Sequence, residues 1–328
     1  MFNEMKYVYA VYQEKSFSKA AKKMYVTQPA LSNMVRKAEL EMGAQIFDRS
    51  TIPLTVTKEG LYYIKCIEEI LFLQRNLKAY FKDLQELNAG SLSIGGSSFF
   101  CSFVLAELIG RFKEKYPRVE IDMREGNIRE LKEALEDESL DLIMETALSF
   151  DDPKIEKYYY KSETIILAVP SVYEINKRIQ PYKLTYQDIV SERFLSDSVD
   201  SVPLSLFKNV PFIIMKPGND MYMRSSLMCK NAGFTPQVAI SMDQVLTSYN
   251  IASGGVGAVF IRSGIIKYMP ENQMLVYYKI GDDLATRQIL IAAKKGKYMT
   301  SAMLEFLKMA GVKKMDMTGN DIKTNKNK

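Results

Sequence analysis

The run Ser16-Phe17-Ser18-Lys19-Ala20-Ala21-Lys22-Lys23-Met24-Tyr25-Val26-Thr27-Gln28-Pro29-Ala30-Leu31-Ser32-Asn33 decides how this chain is read. It holds two short helical patterns separated by a turn. Ser18 is placed to cap the first, and the small pair Ala20-Ala21 lets that helix pack closely. Tyr25-Val26 forms the turn and is expected to plug the core. Thr27 caps the second helix, with Gln28 and Pro29 in its first turn. Proline is tolerated there because those N–H groups lack intrahelical partners. Ala30, Leu31, Met34, Val35 and Ala38 supply one apolar face, while Gln28, Ser32, Asn33, Arg36 and Lys37 supply a polar one. Such a helix carries the chemistry of major-groove reading. Gln and Asn bond adenine bidentately, Arg and Lys read guanine or hold phosphate, and Ser and Thr bond either. Pro29 and Ala30 suit contact with a thymine methyl.

The flanks extend this reading. Met5, Val8, Tyr9 and Tyr12 recur at helical spacing, predicting a first helix up to about Lys15. Between Lys15 and Ala38 stand Lys15, Lys19, Lys22, Lys23, Arg36 and Lys37 with no acid, so positive charge is concentrated where phosphate would lie. Gly43 is a good helix C-cap. Ile46-Phe47 and Leu54 to Val56 then predict two short strands around a polar turn, a wing with Arg49 at its base to reach phosphate or a narrow minor groove. Residues 1–60 are therefore expected to form a winged helix-turn-helix. Its DNA contacts would be Ser18, Lys19, Thr27, Gln28, Pro29, Ser32, Asn33, Arg36, Lys37 and Arg49. The competing reading is a three-helix module for protein contacts. The joint occurrence of cap, proline, spacing and charge favours DNA.

These residues resemble the LysR-type transcriptional regulators. The likeness runs from about Phe17 to Gly60, through Phe17-Ser18-Lys19-Ala20-Ala21, Val26-Thr27-Gln28-Pro29-Ala30-Leu31-Ser32, Glu39, Gly43, Phe47-Asp48-Arg49 and Leu54-Thr55-Val56-Thr57-Lys58-Glu59-Gly60. The chain departs at Asn33, where the family often has arginine, and at Ala38 and Leu40, which replace the usual leucine and acid. The resemblance implies an α/β regulator: a winged helix-turn-helix, a long linker helix and a C-terminal regulatory domain of two periplasmic-binding-protein-like subdomains. It also implies double-stranded DNA, a second copy of the chain in dimers or tetramers, RNA polymerase and a small-molecule effector as partners.

Thr57 caps a long helical pattern through about Leu87, in which Leu61, Ile64, Ile67, Leu71, Leu77, Phe81 and Leu84 form a stripe. A sixty-residue domain alone is too small to cover such a stripe, so residues 57–88 are expected to dimerise. Asn88-Ala89-Gly90-Ser91 reads as a hinge.

From Ser91 onward strands alternate with helices, the signature of parallel βαβ units. Strands are expected at Leu92–Ile94, Val119–Met123, Leu140–Met144, Thr164–Val169, Arg193–Leu195, Pro211–Met215, Val238–Ala239 and Gly257–Phe260. Helices are expected at Phe99–Tyr116, Asn127–Glu136, Met221–Ala232 and Gln244–Ala252. The resemblance divides this part into subdomain 1, residues 91–163 plus 269–312, and subdomain 2, residues 164–268. Ligands bind such folds outside the carboxyl ends of the strands. Gly95-Gly96-Ser97-Ser98 opens a helix after the first strand, and its N–H groups and hydroxyls suit an anion such as a carboxylate. Ser97, Ser98, Asn127, Thr146, Ser196 and Ser198 are the expected effector contacts. Glu145 and Asp197 would oppose an anion if they point inward, and Arg224 is a further candidate cation. Gly254-Gly255-Val256-Gly257 lacks the ending of a phosphate loop and reads as a tight turn into a buried strand. The polar, basic segment 313–328 is expected to be a disordered tail.

Composition limits the alternatives. The 328 residues carry a net charge of +5 and no histidine. Ser-His-Asp and Cys-His catalysis and histidine-ligated zinc are therefore excluded. Cys66, Cys101 and Cys229 lack metal spacing and read as small buried apolar residues, with a Cys101–Cys229 redox pair left open. No apolar run reaches the ~20 residues of a membrane span, and the opening residues do not resemble a signal peptide, so a cytoplasmic protein without a membrane partner is expected. Neither cofactor nor catalytic residue is expected. Two rivals remain: a DNA-binding scaffold with a closed cleft, and an enzyme relying on carboxylate, lysine or thiolate.

Overall fold

The computed structural model of this chain describes residues 2–51, 53–85, 90–147 and 152–315. The chain divides into two units, Met1–Gln85 and Glu86–Lys328.

In the first unit, α1 (Phe2–Glu14), α2 (Phe17–Lys23) and α3 (Gln28–Met42) pack as a trihelical core. Val8, Val11, Leu31 and Val35 are fully buried there, each contributing about 1.5–3 kcal/mol relative to exposure. Two local expectations need correction. Ser16, rather than Ser18, caps α2, its hydroxyl accepting from Lys19 N–H at 3.4 Å. Tyr25 does not plug the core: it sits at φ 55° with its ring 96% exposed, because the turn needs a left-handed residue and turns that side chain outward. Val26 packs on the core in its place. Thr27 caps α3, accepting from Ala30 N–H at 3.3 Å, and Gly43 ends it at φ 67°. β1 (Phe47–Asp48) and β2 (Thr55–Val56) pair antiparallel as the wing. Then α4 (Lys58–Gln85) runs for 28 residues, about 42 Å. Thr57 caps it, accepting from Gly60 N–H at 2.9 Å while donating to Gln45 O at 2.6 Å. A Cβ on Gly60 would stand 2.0 Å from Ile46 O, so only glycine lets the helix start so close to the wing. Ile64 and Ile67 are buried, whereas Leu73, Leu77, Phe81 and Leu84 are exposed. Leu87 and the Asn88-Ala89 half of the expected hinge lie outside the described residues.

The second unit starts with β3 (Ser91–Gly96). The helix that follows opens with wide π turns over Phe100–Leu105 and continues as α5 (Ala106–Lys115). Next come β4 (Glu120–Glu125), α6 (Ile128–Glu136), β5 (Leu142–Thr146) and the sixteen-residue β6 (Ile155–Pro170). Short elements α7 (Ile175–Arg178), β7 (Lys183–Leu184) and α8 (Tyr186–Val190) lead to β8 (Pro211–Met215), α9 (Asp220–Asn231) and β9 (Gln237–Met242). The remainder is α10 (Val245–Ser253), β10 (Ala258–Arg262), α11 (Gly264–Tyr268), β11 (Leu275–Lys279), β12 (Thr286–Lys294), α12 (Ser301–Ala310) and β13 (Lys313–Lys314).

β6 belongs to two sheets. Its first part pairs with β12, giving the order β4-β3-β5-β12-β6; its second part pairs with β10 and β11, giving β6-β10-β8-β9. The β3–β4, β3–β5, β8–β9 and β8–β10 pairs are parallel as expected, while the strands that cross between halves are antiparallel. Residues 165–169 are fully buried and read as one apolar run, whereas Lys157 to Glu163 is mixed and hides its strand from periodicity. The return crossing comes later than Tyr268: β11 still pairs with the second part of β6, so the chain re-enters the first sheet between Ile280 and Thr286. Arg193–Leu195 is a 3₁₀ turn rather than a strand, closed by an ion pair between Arg193 and Asp188. Lys313–Lys314 is also ordered, as a strand on β6, with Met315 buried beside it; residues 316–328 of the expected tail lie outside the described residues.

Candidate nucleic-acid interface and ligand cleft

On the first unit, Ser18, Lys19, Thr27, Gln28, Pro29, Asn33, Arg36, Lys37 and Arg49 are all exposed, and Ser32 is half-buried. The first turn of α3 projects Gln28, Pro29 and Ala30 outward. Gln28 Nε2 donates to Ser32 Oγ at 3.0 Å, so the two candidate base readers hold one another one helical turn apart. Two of the expected phosphate-holding cations already have carboxylate partners. Lys37 Nζ lies 2.6 Å from Glu4, whose side chain is only 4% exposed. The Lys37 ammonium holds the Glu4 carboxyl down to about 2. Arg49 lies 2.9 Å from Glu39 and 5.0 Å from the centre of the Phe17 ring. Glu39, noted in the sequence only as part of the family resemblance, turns out to organise this corner. Its other oxygen accepts from Ile46 N–H at 3.0 Å and Phe47 N–H at 3.4 Å, so one carboxylate ties α3, the wing strand and Arg49 together. The signal was the spacing of Glu39 and Arg49 around Gly43, legible only with the wing in hand.

The second unit holds a cleft of about 620 Å³ at the carboxyl ends of β3, β5, β8 and β10. Ser97, Asn127 and Thr146 line it as expected; Ser98, Ser196 and Ser198 do not. Ser196 and Ser198 are exposed and bond to each other at 2.9 Å, in the loop after the 3₁₀ turn that was expected to be a strand. Asn127 uses its side chain as a cap, accepting from Glu130 N–H at 3.0 Å. The expected anion position is filled by the protein itself. Glu145 Oε1 accepts from Ser97 N–H at 3.0 Å and its Oε2 from Thr146 N–H at 3.3 Å. Burial raises the Glu145 carboxyl, with Arg262 and the Ser97 and Thr146 hydrogen bonds acting against that rise. Asp197 is exposed and lies outside the cleft lining.

The cleft wall also carries arginines that the sequence reading did not select. Arg287, on β12, lies 2.6 Å from both Glu163 of β6 and Asp220 of α9. Asp220 in turn meets Arg224 at 2.9 Å, so Arg224, the candidate cation, is buried and paired and does not line the cleft. Neighbouring guanidinium groups hold both Glu163 and Asp220 below the ordinary carboxylate range, overcoming the opposing effect of burial. Arg262 ends β10, only 5% exposed, with its guanidinium 4.4 and 4.5 Å from the Phe99 and Phe100 ring centres. Glu163 lies 3.8 Å from it, and among the described residues its Nε and Nη1 have no hydrogen-bond partner. The lining acids are Glu125, Glu130, Glu145, Asp220 and Asp243, and the lining bases Arg129, Lys216, Arg262 and Arg287, a near balance. Cys66, Cys101 and Cys229 are free thiols. Burial pushes the Cys101 thiol up to about 11 and Cys229 up to about 12, which makes both poor nucleophiles.

Comparison with known proteins bears on both sites. Residues 2–61 match the family described as "Bacterial regulatory helix-turn-helix protein, lysR family", and residues 85–311 match "LysR substrate binding domain". The uncharacterized HTH-type transcriptional regulator YcgK of Bacillus subtilis (strain 168) is 25% identical over 312 residues, 93% of this chain and 92% of that protein. The HTH-type transcriptional regulator BsdA of the same organism is 26% identical over 279 residues, 83% of this chain and 87% of that protein. Among solved structures, HinK, a LysR family transcriptional regulator from Pseudomonas aeruginosa, is similar with a TM-score of 0.54 at 20% identity, covering 94% of this chain and 97% of that one. Full-length CbnR complexed with its target DNA is similar with a TM-score of 0.50 at 17% identity, covering 94% and 99%.

Proposed function

This chain belongs to the LysR family of transcriptional regulators, and from that premise we propose how its own residues carry the work. The protein is a DNA-binding regulator controlled by a small molecule in the cleft of its second unit. α3 enters the major groove with Gln28, Ser32 and Asn33 toward base edges and Pro29 and Ala30 toward a thymine methyl. Ser18, Lys19, Thr27, Arg36, Lys37 and Arg49 hold the phosphate backbone. Glu4 and Glu39 orient two of these cations without removing them from the surface, since the Lys37 and Arg49 side chains remain 60% and 48% exposed. A second copy of the chain covers the apolar stretch Leu73, Leu77, Phe81 and Leu84 of α4, so that two recognition helices address one pseudo-palindrome. Among the described residues no helix is long and apolar enough to cross a membrane, and we place the protein in the cytoplasm because its family works on bacterial DNA. The relatives are regulators rather than enzymes, and we extend that to this chain: the buried thiols and paired carboxylates serve structure and ligand binding, not turnover.

The observation that carries this reading is the exposed, polar first turn of α3, capped by Thr27 and flanked by Lys19, Arg36 and Arg49. A footprint on the DNA upstream of the protein's own gene tests it. Protection that shrinks in added salt, and that Gln28→Ala weakens more on this site than on random DNA, is the expected result. Absence of protection at low salt by folded dimer would sink it.

A further inference from the structure

The cleft shows two unsatisfied demands. Arg262 is only 5% exposed and lines the cleft, and among the described residues its Nε and Nη1 find no hydrogen-bond partner. A buried unpaired donor is costly, and more so on a charged group. The two phenylalanine rings against its face hold the planar guanidinium in one orientation, with Nε toward Glu163 and Nη1 left to meet a carboxylate. Glu163, at 3.8 Å, does not fill this role because Arg287 occupies it at 2.6 Å. On the other half of the cleft, Glu145 is buried at the end of β5, its two oxygens each taking one backbone N–H. The Ser97 side chain also bonds to it and Arg262 attracts it from beyond ion-pair distance, which leaves its carboxylate lone pairs for a further donor. Its position at the opening of the first helix denies that position to a ligand anion, which moves the anion subsite to Arg262.

We propose that the effector is a small zwitterion of the α-amino acid class, its carboxylate on Arg262 and its ammonium on Glu145. The inference rests on the reading of the cleft as an effector site. Arg262 belongs to the sheet of β10 and Glu145 to the sheet of β5, so such a ligand joins the two halves through one charge each. The balance of acids and bases around the cleft disfavours a dianion, and Phe99, Ile128, Met221, Val245 and Leu246 offer an apolar wall for the ligand's side chain. Burial raises the Glu145 carboxyl, and a bound ammonium would reverse that direction by favouring its charged form.

Full-length protein is screened by thermal shift against each proteinogenic L-amino acid, and every hit is compared with its des-amino carboxylate and its decarboxylated amine. DNA binding is measured on the same preparation. An amino acid that raises the melting temperature, while both truncated analogues bind at least about tenfold more weakly, is expected. Arg262→Lys, which keeps the charge and loses the fork, should weaken the hit by about tenfold. Glu145→Gln, which keeps an acceptor for a backbone N–H, should erase the preference for the amino acid over its des-amino carboxylate. If DNA is bound and carboxylates stabilise as well as amino acids, the zwitterion assignment is overturned and the regulator reading stands. If DNA is bound and no compound of any of the three classes stabilises the protein, the assignment is overturned together with the effector role of the cleft. Failure of DNA binding with an amino acid hit would leave the zwitterion site standing and overturn the regulator reading instead.

Discussion

Arg49 and Arg262 both lie over phenylalanine rings, yet they do opposite things. Arg49 stacks on Phe17, pairs with Glu39 and keeps nearly half of its side chain in water. Arg262 stacks on Phe99 and Phe100 and is sealed from solvent with two donors unmade. The first arrangement suits the role proposed for it, charge offered to a large external polyanion, where screening is strong and partners exchange readily. The second reserves charge for something small enough to enter, in a setting where each missing hydrogen bond is costly. The same contrast separates the two units as wholes: cations on a surface in one, a buried lattice of arginines and acids in the other.

That contrast can be broken most forcefully at Arg287. Replacing it by methionine leaves Glu163 and Asp220 without their shared partner, and denaturant unfolding of the second unit should show a loss of about 3–5 kcal/mol. An equivalent loss from removing a surface cation of the first unit would erase the distinction. Gly60→Ala comes next. The added Cβ meets the Ile46 carbonyl, and displacing the wing from α4 should cost about 3 kcal/mol and abolish DNA protection while leaving small-molecule binding intact. Gln28→Ala is smaller: loss of about 1–3 kcal/mol on the specific site, read by competition against random DNA, with stability unchanged. The smallest effect concerns pH. Glu4 titrates at about 2 in the folded protein against an ordinary value of 4.5, so its stabilising contribution is full above 4.5 and disappears as pH falls toward 2. Thermal melts of Glu4→Gln should lack that part of the acid slope; an unchanged slope would show that the Lys37 pair does not contribute.

Much of the first unit was legible because its determinants are local. Thr27, Pro29 and Gly43 announce the ends of α3 through backbone groups within one turn of themselves. Where the reading failed there, at Ser18 and Tyr25, two neighbouring residues offered similar local chemistry and the exact turn geometry chose between them. The cleft was harder. Ser97, Asn127 and Thr146 could be placed at the cleft because its rim is built where strand ends meet helix starts, a rule of topology. Ser196 and Ser198 were misplaced because Arg193–Leu195 looked like a strand and is a 3₁₀ turn. Glu145 was read as opposing an anion if it pointed inward, and it does point inward, occupying the anion position itself. Arg262 and Arg287 gave no sign, since a lone arginine at the end of an apolar strand looks the same whether it faces water or a cavity.

By itself the sequence determined the winged helix-turn-helix, the caps of α3 and α4, the polar face of α3 and the alternation of strands and helices, all written in contacts a few residues apart. Only the tertiary structure decided where β6 passes from one sheet to the other, that β11 stays with the second, and which charges meet in the cleft. Glu145 reaches Ser97 across 48 residues and Arg287 reaches Glu163 across 124. Pairings at that range depend on the topology that closes the chain on itself, and no local pattern of residue types records it.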